Sequence, residues 1–230
     1  IAIPVFLSRK FRHSYIFINK KSGITIPEDL KHKRIGIPLY GKTATVWLRG
    51  MLQHEYGIMP EDIEWYVGAW EEVGKEEKVE IKVPEQVHLH FTKEGETLSD
   101  MLAKGTIDAL ITASTPQCFL RKHPDVDRLW PQYKEVEMAY YQRTKIFPIM
   151  HTVVIKRALY EAHPWVAVSM YKAFSLAKEL GQESITSHGA LSYMLPWTMV
   201  DYESTVSLMG EDFFPYGVEA GRAALEPFTE

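Results

Sequence analysis

The segment from Arg34 to Val67 reads strand, helix, strand, and that alternation narrows the folds open to this chain more than any other feature. Arg34-Ile35-Gly36-Ile37-Pro38 is a short apolar run closed by a proline. Thr43 to Tyr56 carries Ala44, Trp47, Leu48, Met51 and Leu52 at helical spacing, and Gly57 offers a natural stop. Ile63 to Val67 is a strand again. Strands alternating with helices predict an α/β fold with parallel pairing.

The rest of the chain continues the alternation. Tyr15 to Asn19 is apolar throughout, as in a strand buried on both faces of a parallel or mixed sheet. Glu71 to Glu80 is charge-rich and reads as a solvated excursion. Val87 to Phe91 alternates, with Val87, Leu89 and Phe91 on one face and His88 and His90 on the other, which predicts a half-buried strand. Thr97-Leu98-Ser99-Asp100 is a capping-box pattern for a short helix closed by Gly105. Ile107 to Ala113 is a strand broken by Ser114-Thr115-Pro116, and the stretch around Trp130-Pro131 reads as a loop. Ile149 to Ile155 is a strand. Pro164 then opens a helix with an inward stripe of Val166, Met170, Ala173, Phe174 and Ala177, stopped at Gly181. From Ser184 on we expect helices and loops.

Polar-flanked apolar strands at Arg12 to Ile18 and Phe147 to Val154 suggest two crossings between lobes. The expected division is residues 1–18 with 147–230 as a first lobe carrying the hinge strands, and 19–146 as a second. Ile1 to Phe6 reads like the middle of a strand without an initiator Met, so we expect N-terminal sequence beyond it.

Composition mainly excludes. With 26 basic and 30 acidic residues among 230, and a net charge of −4, the chain has no basic field for nucleic acid. No apolar run reaches the roughly 18 residues of a spanning helix. Cys118 stands alone, which fits a reducing compartment and reads best as a small buried hydrophobe.

Gly36-Ile37-Pro38-Leu39-Tyr40-Gly41-Lys42-Thr43 matches the phosphate-loop pattern letter for letter. Its setting argues against nucleotide binding. The preceding Lys31-His32-Lys33-Arg34 is too polar for a central strand, Pro38 removes a donor, and Leu39 and Tyr40 are bulky. A weaker reading survives: Lys42 and Thr43 open a helix, where free N–H groups and the helix dipole favour a carboxylate or phosphate. Thr43 would equally serve as a cap. Arg12-His13-Ser14 precedes a buried strand and offers a guanidinium fork for a carboxylate, or for a structural acid. Thr112, Ser114 and Thr115 follow a strand, where ligands of open α/β sheets gather, or where small polar residues simply build a turn. His88 and His90 share a strand face without any spaced metal pattern, and no metal site is expected. His151 sits in an apolar strand, where a lone histidine is commonly a core residue.

Several segments together are familiar. Lys21-Ser22-Gly23, Pro27-Glu28-Asp29-Leu30-Lys31, Arg34-Ile35-Gly36 and Asp108-Ala109-Leu110 resemble the type II periplasmic-binding-protein fold. Phe11-Arg12-His13-Ser14, Val46-Trp47-Leu48-Arg49-Gly50, Glu55-Tyr56-Gly57, Phe147-Pro148-Ile149-Met150-His151 and Phe213-Phe214-Pro215-Tyr216-Gly217 resemble the 4,5-dihydroxyphthalate decarboxylase family, over nearly the whole chain. Members of that family are longer, with an N-terminal strand and helix that have no counterpart here.

The resemblance implies a periplasmic-binding-protein-like fold with two lobes and a hinge. It implies a cytoplasmic homo-oligomer that works without an organic cofactor. The implied reaction is non-oxidative decarboxylation of a dihydroxylated aromatic dicarboxylate, 4,5-dihydroxyphthalate to protocatechuate and CO2 or a close analogue. The rival is a solute-binding protein for an aromatic carboxylate or thiamine-precursor-like ligand, without catalysis. On the decarboxylase reading, His151 and His13 are the acid–base candidates. Arg12, Ser14, Lys42, Thr43, Thr112, Ser114 and Thr115 are the candidates for holding substrate.

Overall fold

In a computed structural model, residues 1–73, 82–186 and 194–229 are described. The order of elements is β1 (Ala2–Arg9), β2 (Ile16–Asn19), β3 (Arg34–Ile37), α1 (Thr43–Tyr56), β4 (Glu64–Val67), β5 (His88–Phe91), α2 (Leu98–Lys104), β6 (Ala109–Ile111), α3 (Gln117–Leu120), β7 (Val126–Arg128), α4 (Tyr133–Thr144), β8 (Ile149–Val154), α5 (Arg157–Ala162), α6 (Trp165–Thr186), α7 (Thr198–Met209) and α8 (Val218–Thr229). This is a mixed α/β chain. It divides into two compact units, Ile1–Lys10 with Tyr140–Glu230, and Phe11–Ala139.

The unit Phe11–Ala139 is organised by a six-stranded sheet in the order β5-β4-β3-β6-β2-β7. β5, β4, β3 and β6 run parallel, and β2 is antiparallel to both its neighbours. The parallel core is the one that the strand–helix–strand pattern requires. β2 is buried at every residue, as its unbroken apolar run demands. Ile16 to Ile18, expected with the first lobe, hydrogen-bond to β6 and β7.

Local signals set α1 and α2. Ala44, Trp47, Leu48, Met51 and Leu52 are buried on one face of α1, and Gly57 ends the helix in the left-handed conformation that a side chain would strain. The Thr97 side chain accepts from the Asp100 N–H, and Leu98, Met101 and Leu102 pack with Phe17, Ile107, Leu110, Cys118 and Val126 into the core. Gly36 serves this packing. A Cβ there would lie 2.6 Å from Ile107 Cδ1, so the first glycine of the phosphate-loop pattern is explained by close approach of side chains beneath the strand. Arg34 and Asp108 tie β3 to β6. Nη2 donates to Oδ1 at 2.7 Å and Nε to Oδ2 at 3.0 Å, and the Arg34 backbone N–H also reaches Oδ2 at 2.9 Å.

Some expectations need correction. Trp130 and Pro131 lie in a loop as expected, but β7 and α4 flank it without having been foreseen; α4 buries only Tyr140, so its apolar stripe is too thin to announce a helix. Phe91 is 76% exposed, because β5 is an edge strand whose last residue has no cover. α6 runs past Gly181 to Thr186, since a single helical glycine costs only about 1 kcal/mol. Its predicted inward stripe is half-buried or exposed at every position. The excursion after Glu71 falls largely outside the described residues, as does residue 188.

In the other unit, β1 and β8 form an antiparallel two-stranded sheet with irregular register, Ala2 opposite Val154 and Ser8 opposite His151. Arg9 is buried there, with Nη1 donating to the Phe147 carbonyl and Nη2 to the Pro215 carbonyl. Among the described residues no helix is long and apolar enough to cross a membrane.

Candidate functional site

Parallel pairing brings the carboxyl ends of β3, β4 and β6 to one edge of the sheet, where ligands of open α/β sheets bind. The residues that follow these strands, Pro38, Gly68 and Thr112, line a cavity of about 220 Å³. Lys42, at the N-cap of α1, joins them, and its side chain makes no capping hydrogen bond. Trp70, Glu71, Glu72, Ala113 and Ser114 complete the lining.

Each wall is fixed locally. The Thr112 N–H donates to the Tyr15 carbonyl at 3.2 Å, which holds the end of β6 beside β2. Thr112 Oγ1 accepts from the Ser114 N–H, turning the chain so that Ser114 is exposed at the rim. Glu71 Oε1 accepts from the Gln117 N–H at 2.8 Å, so one of its oxygens is committed to the start of α3. Trp70 packs against the core, and its Nε1 is buried with no hydrogen-bond partner among the described residues. A buried donor left unmade is costly, about 1–3 kcal/mol, and a ligand oxygen would relieve it.

The expected residues separate into three groups. Lys42, Thr112 and Ser114 line the cavity together. Thr43 is the first residue of α1 and Thr115 follows Ser114, and both are half-buried outside that lining.

Arg12, His13 and Ser14 form the second group. Arg12 is 7% exposed and stands behind the cavity: its Nη1 donates to the Ala113 carbonyl at 3.3 Å, and the guanidinium lies over the Tyr15 ring. Burial lowers its pKa, and Tyr15 and Glu137 oppose that shift. The Ser14 N–H donates to Glu137, and its carbonyl accepts from Arg128 Nε. His13 is 1% exposed, with its ring edge-on to Trp130 at 5.2 Å.

His151 is the third case. It lies in the other unit and is exposed on β8, so the expected burial of its ring does not hold. The cause is the two-stranded sheet, which leaves much of β8 uncovered.

Sequence reasoning missed Trp70, Glu71 and Glu72. They follow β4 without any motif, and only the parallel register brings them beside Thr112. His88 and His90 both bond Glu64, at 2.9 Å and 2.7 Å, and hold its carboxyl below the usual range, His90 foremost. Among the described residues no group of three His, Cys, Asp or Glu is placed to hold a metal ion.

No family model matches the chain. It is 40% identical over 228 residues to the 4,5-dihydroxyphthalate decarboxylase of Comamonas testosteroni, a match covering 99% of this chain and 69% of that protein. It is 46% identical over 130 residues to the 4,5-dihydroxyphthalate decarboxylase of Pseudomonas putida, which covers 56% of this chain and 50% of that one.

Proposed function

We propose, because the chain belongs to the 4,5-dihydroxyphthalate decarboxylase family, that it is a carboxy-lyase converting 4,5-dihydroxyphthalate to protocatechuate and CO2. The observation that carries the reading is 40% identity to a protein of that name over 99% of this chain. The cavity at the strand ends is where we assign the substrate.

The chemistry asks for few parts. A proton must reach the ring carbon bearing the departing carboxylate, the C–C bond electrons return to the ring, and CO2 leaves. A hydroxyl para to that carbon feeds electrons toward it. The retained carboxylate needs a cation or N–H donors, and the ring needs a partly dry wall. Lys42 and the start of α1 supply the positive end. Thr112 and Ser114 supply hydroxyls, and Trp70 supplies an apolar face with one buried N–H to offer.

His151 and His13 are the acid–base candidates that we carry forward, within a periplasmic-binding-protein-like arrangement of two lobes and a hinge. The carboxyl groups of Glu71 and Glu72 in the cavity lining are the competing proton source. We assign no organic cofactor, and the reading includes a cytoplasmic homo-oligomer. Binding without chemistry is disfavoured, because both relatives carry the name of a decarboxylase. Incubation of the full-length protein with 4,5-dihydroxyphthalate tests the proposal: CO2 and protocatechuate appear in equal amounts, whereas tight binding with no CO2 refutes it.

A further inference from the structure

The unit Ile1–Lys10 with Tyr140–Glu230 has a cavity of its own, of about 60 Å³, bounded by Arg9, Tyr141, Lys145, Asp212 and Ala220. Arg9 is 8% exposed. Of the five N–H donors of a guanidinium, one goes to the Phe147 carbonyl and one to the Pro215 carbonyl. Nε is buried and has no hydrogen-bond partner among the described residues. The rings of Phe6 and Phe147 lie 5.1 Å and 6.0 Å from the guanidinium carbon, and they attract the charge without neutralising it.

No described carboxylate forms an ion pair with Arg9. Asp212 borders the same cavity, but its Oδ1 is bonded to Lys178 Nζ at 2.6 Å. That pair is neutral by itself. Lys145, exposed and lying over the Tyr141 ring, adds a second cation at the rim. Arg9 thus keeps its charge in a buried place without a close ion pair, and the Asp212 carboxylate, already bonded to Lys178, attracts it only from a distance. Burial lowers its pKa, yet an arginine stays protonated in a protein. A buried unpaired charge is strongly destabilising, and the remedy is a counter-charge. The cavity has room for a few waters or for one compact anion.

We propose that this cavity is a binding site for a small oxyanion, held by the free donors of Arg9 and the Lys145 ammonium. The site is separate from the cavity at the strand ends, and it stands whether or not the chain is a decarboxylase. Its ligand is an anion of the size of formate or phosphate; an aromatic ring does not fit.

Calorimetric titration of the full-length protein at fixed ionic strength tests the site, with sodium formate in one arm and inorganic phosphate in the other. At least one of the two binds. Lys145→Ala weakens that binding by about tenfold, the scale of one charge-assisted hydrogen bond. Ala220→Leu fills the cavity from an exposed position on α8 and abolishes it. Arg9→Gln is avoided as the sole test, because the buried guanidinium also holds two carbonyls. Both chosen variants keep the wild-type circular dichroism spectrum and a cooperative thermal transition, which excludes misfolding as the cause. Absence of binding by both anions overturns the proposal, and so does binding that neither variant disturbs.

Discussion

Arg12 Nη1 donates to the carbonyl oxygen of Ala113 at 3.3 Å, fixing the backbone between Thr112 and Ser114 from behind the cavity. The guanidinium supports the wall that carries the hydroxyls and does not line the cavity itself. Arg12→Ala should therefore weaken binding of an aromatic dicarboxylate indirectly, by about 0.5–1.5 kcal/mol, the net worth of one ordinary hydrogen bond holding the wall. Calorimetry reads this directly, and unchanged affinity would detach Arg12 from the site.

Trp70 makes a sharper case. Its buried Nε1 is unsatisfied, so Trp70→Phe removes a donor that nothing in the described protein uses. The variant should unfold at the wild-type temperature or slightly above it. Substrate affinity should fall by about 0.5–1.5 kcal/mol, one ordinary hydrogen bond. Thermal denaturation and calorimetry on the same sample separate the two effects. A drop in stability with intact affinity would mean that the indole N–H serves the fold.

Much of this was legible in the sequence where signals are local. The stripe of α1 with Gly57, the Thr97 cap and the unbroken apolar run of β2 each follow from residues within a few positions. α4 was not legible, since a helix that buries only Tyr140 has little periodicity to read. The site was half legible. Lys42, Thr112 and Ser114, which line one cavity, were singled out because helix starts and strand ends bind anions on general grounds. Trp70, Glu71 and Glu72 were not: the strand–helix–strand pattern foretells β4 parallel to β3, but no motif marks the residues that follow β4. The burial expected of His151 fails because an apolar strand signals burial only when other elements cover it.

The Arg34–Asp108 pair gives acid stability a direction. Burial works to raise the Asp108 pKa, but hydrogen bonds from the Arg34 side chain and backbone and its positive charge hold the carboxyl below the usual range. A depressed carboxyl contributes stability above its unfolded value of about 3.9, and that contribution is lost as pH falls through the lower folded value. Asp108→Asn should cost about 1.5–3 kcal/mol at pH 7. The deficit should shrink below pH ~4. Denaturant unfolding at both pH values checks this; a deficit that is constant with pH would assign the loss to packing.

The proton source is open to a direct comparison. If His151 protonates the ring carbon, His151→Asn keeps substrate affinity and loses about a hundredfold or more in turnover, the usual size of a general-acid contribution. Glu72→Gln then changes turnover little. The reverse pattern would move the role to the cavity itself, and wild-type turnover in both variants would leave His13 and Glu71.

The central claim is that decarboxylation occurs at the cavity bordered by Lys42, Thr112 and Trp70. Steady-state release of CO2 from 4,5-dihydroxyphthalate by the full-length protein, with and without the substitution Lys42→Ala, tests it most directly. Loss of the cation that holds the retained carboxylate should lower kcat/KM by about ten- to a hundredfold, the equivalent of 1.5–3 kcal/mol. An identical kcat/KM in the two proteins would contradict the assignment.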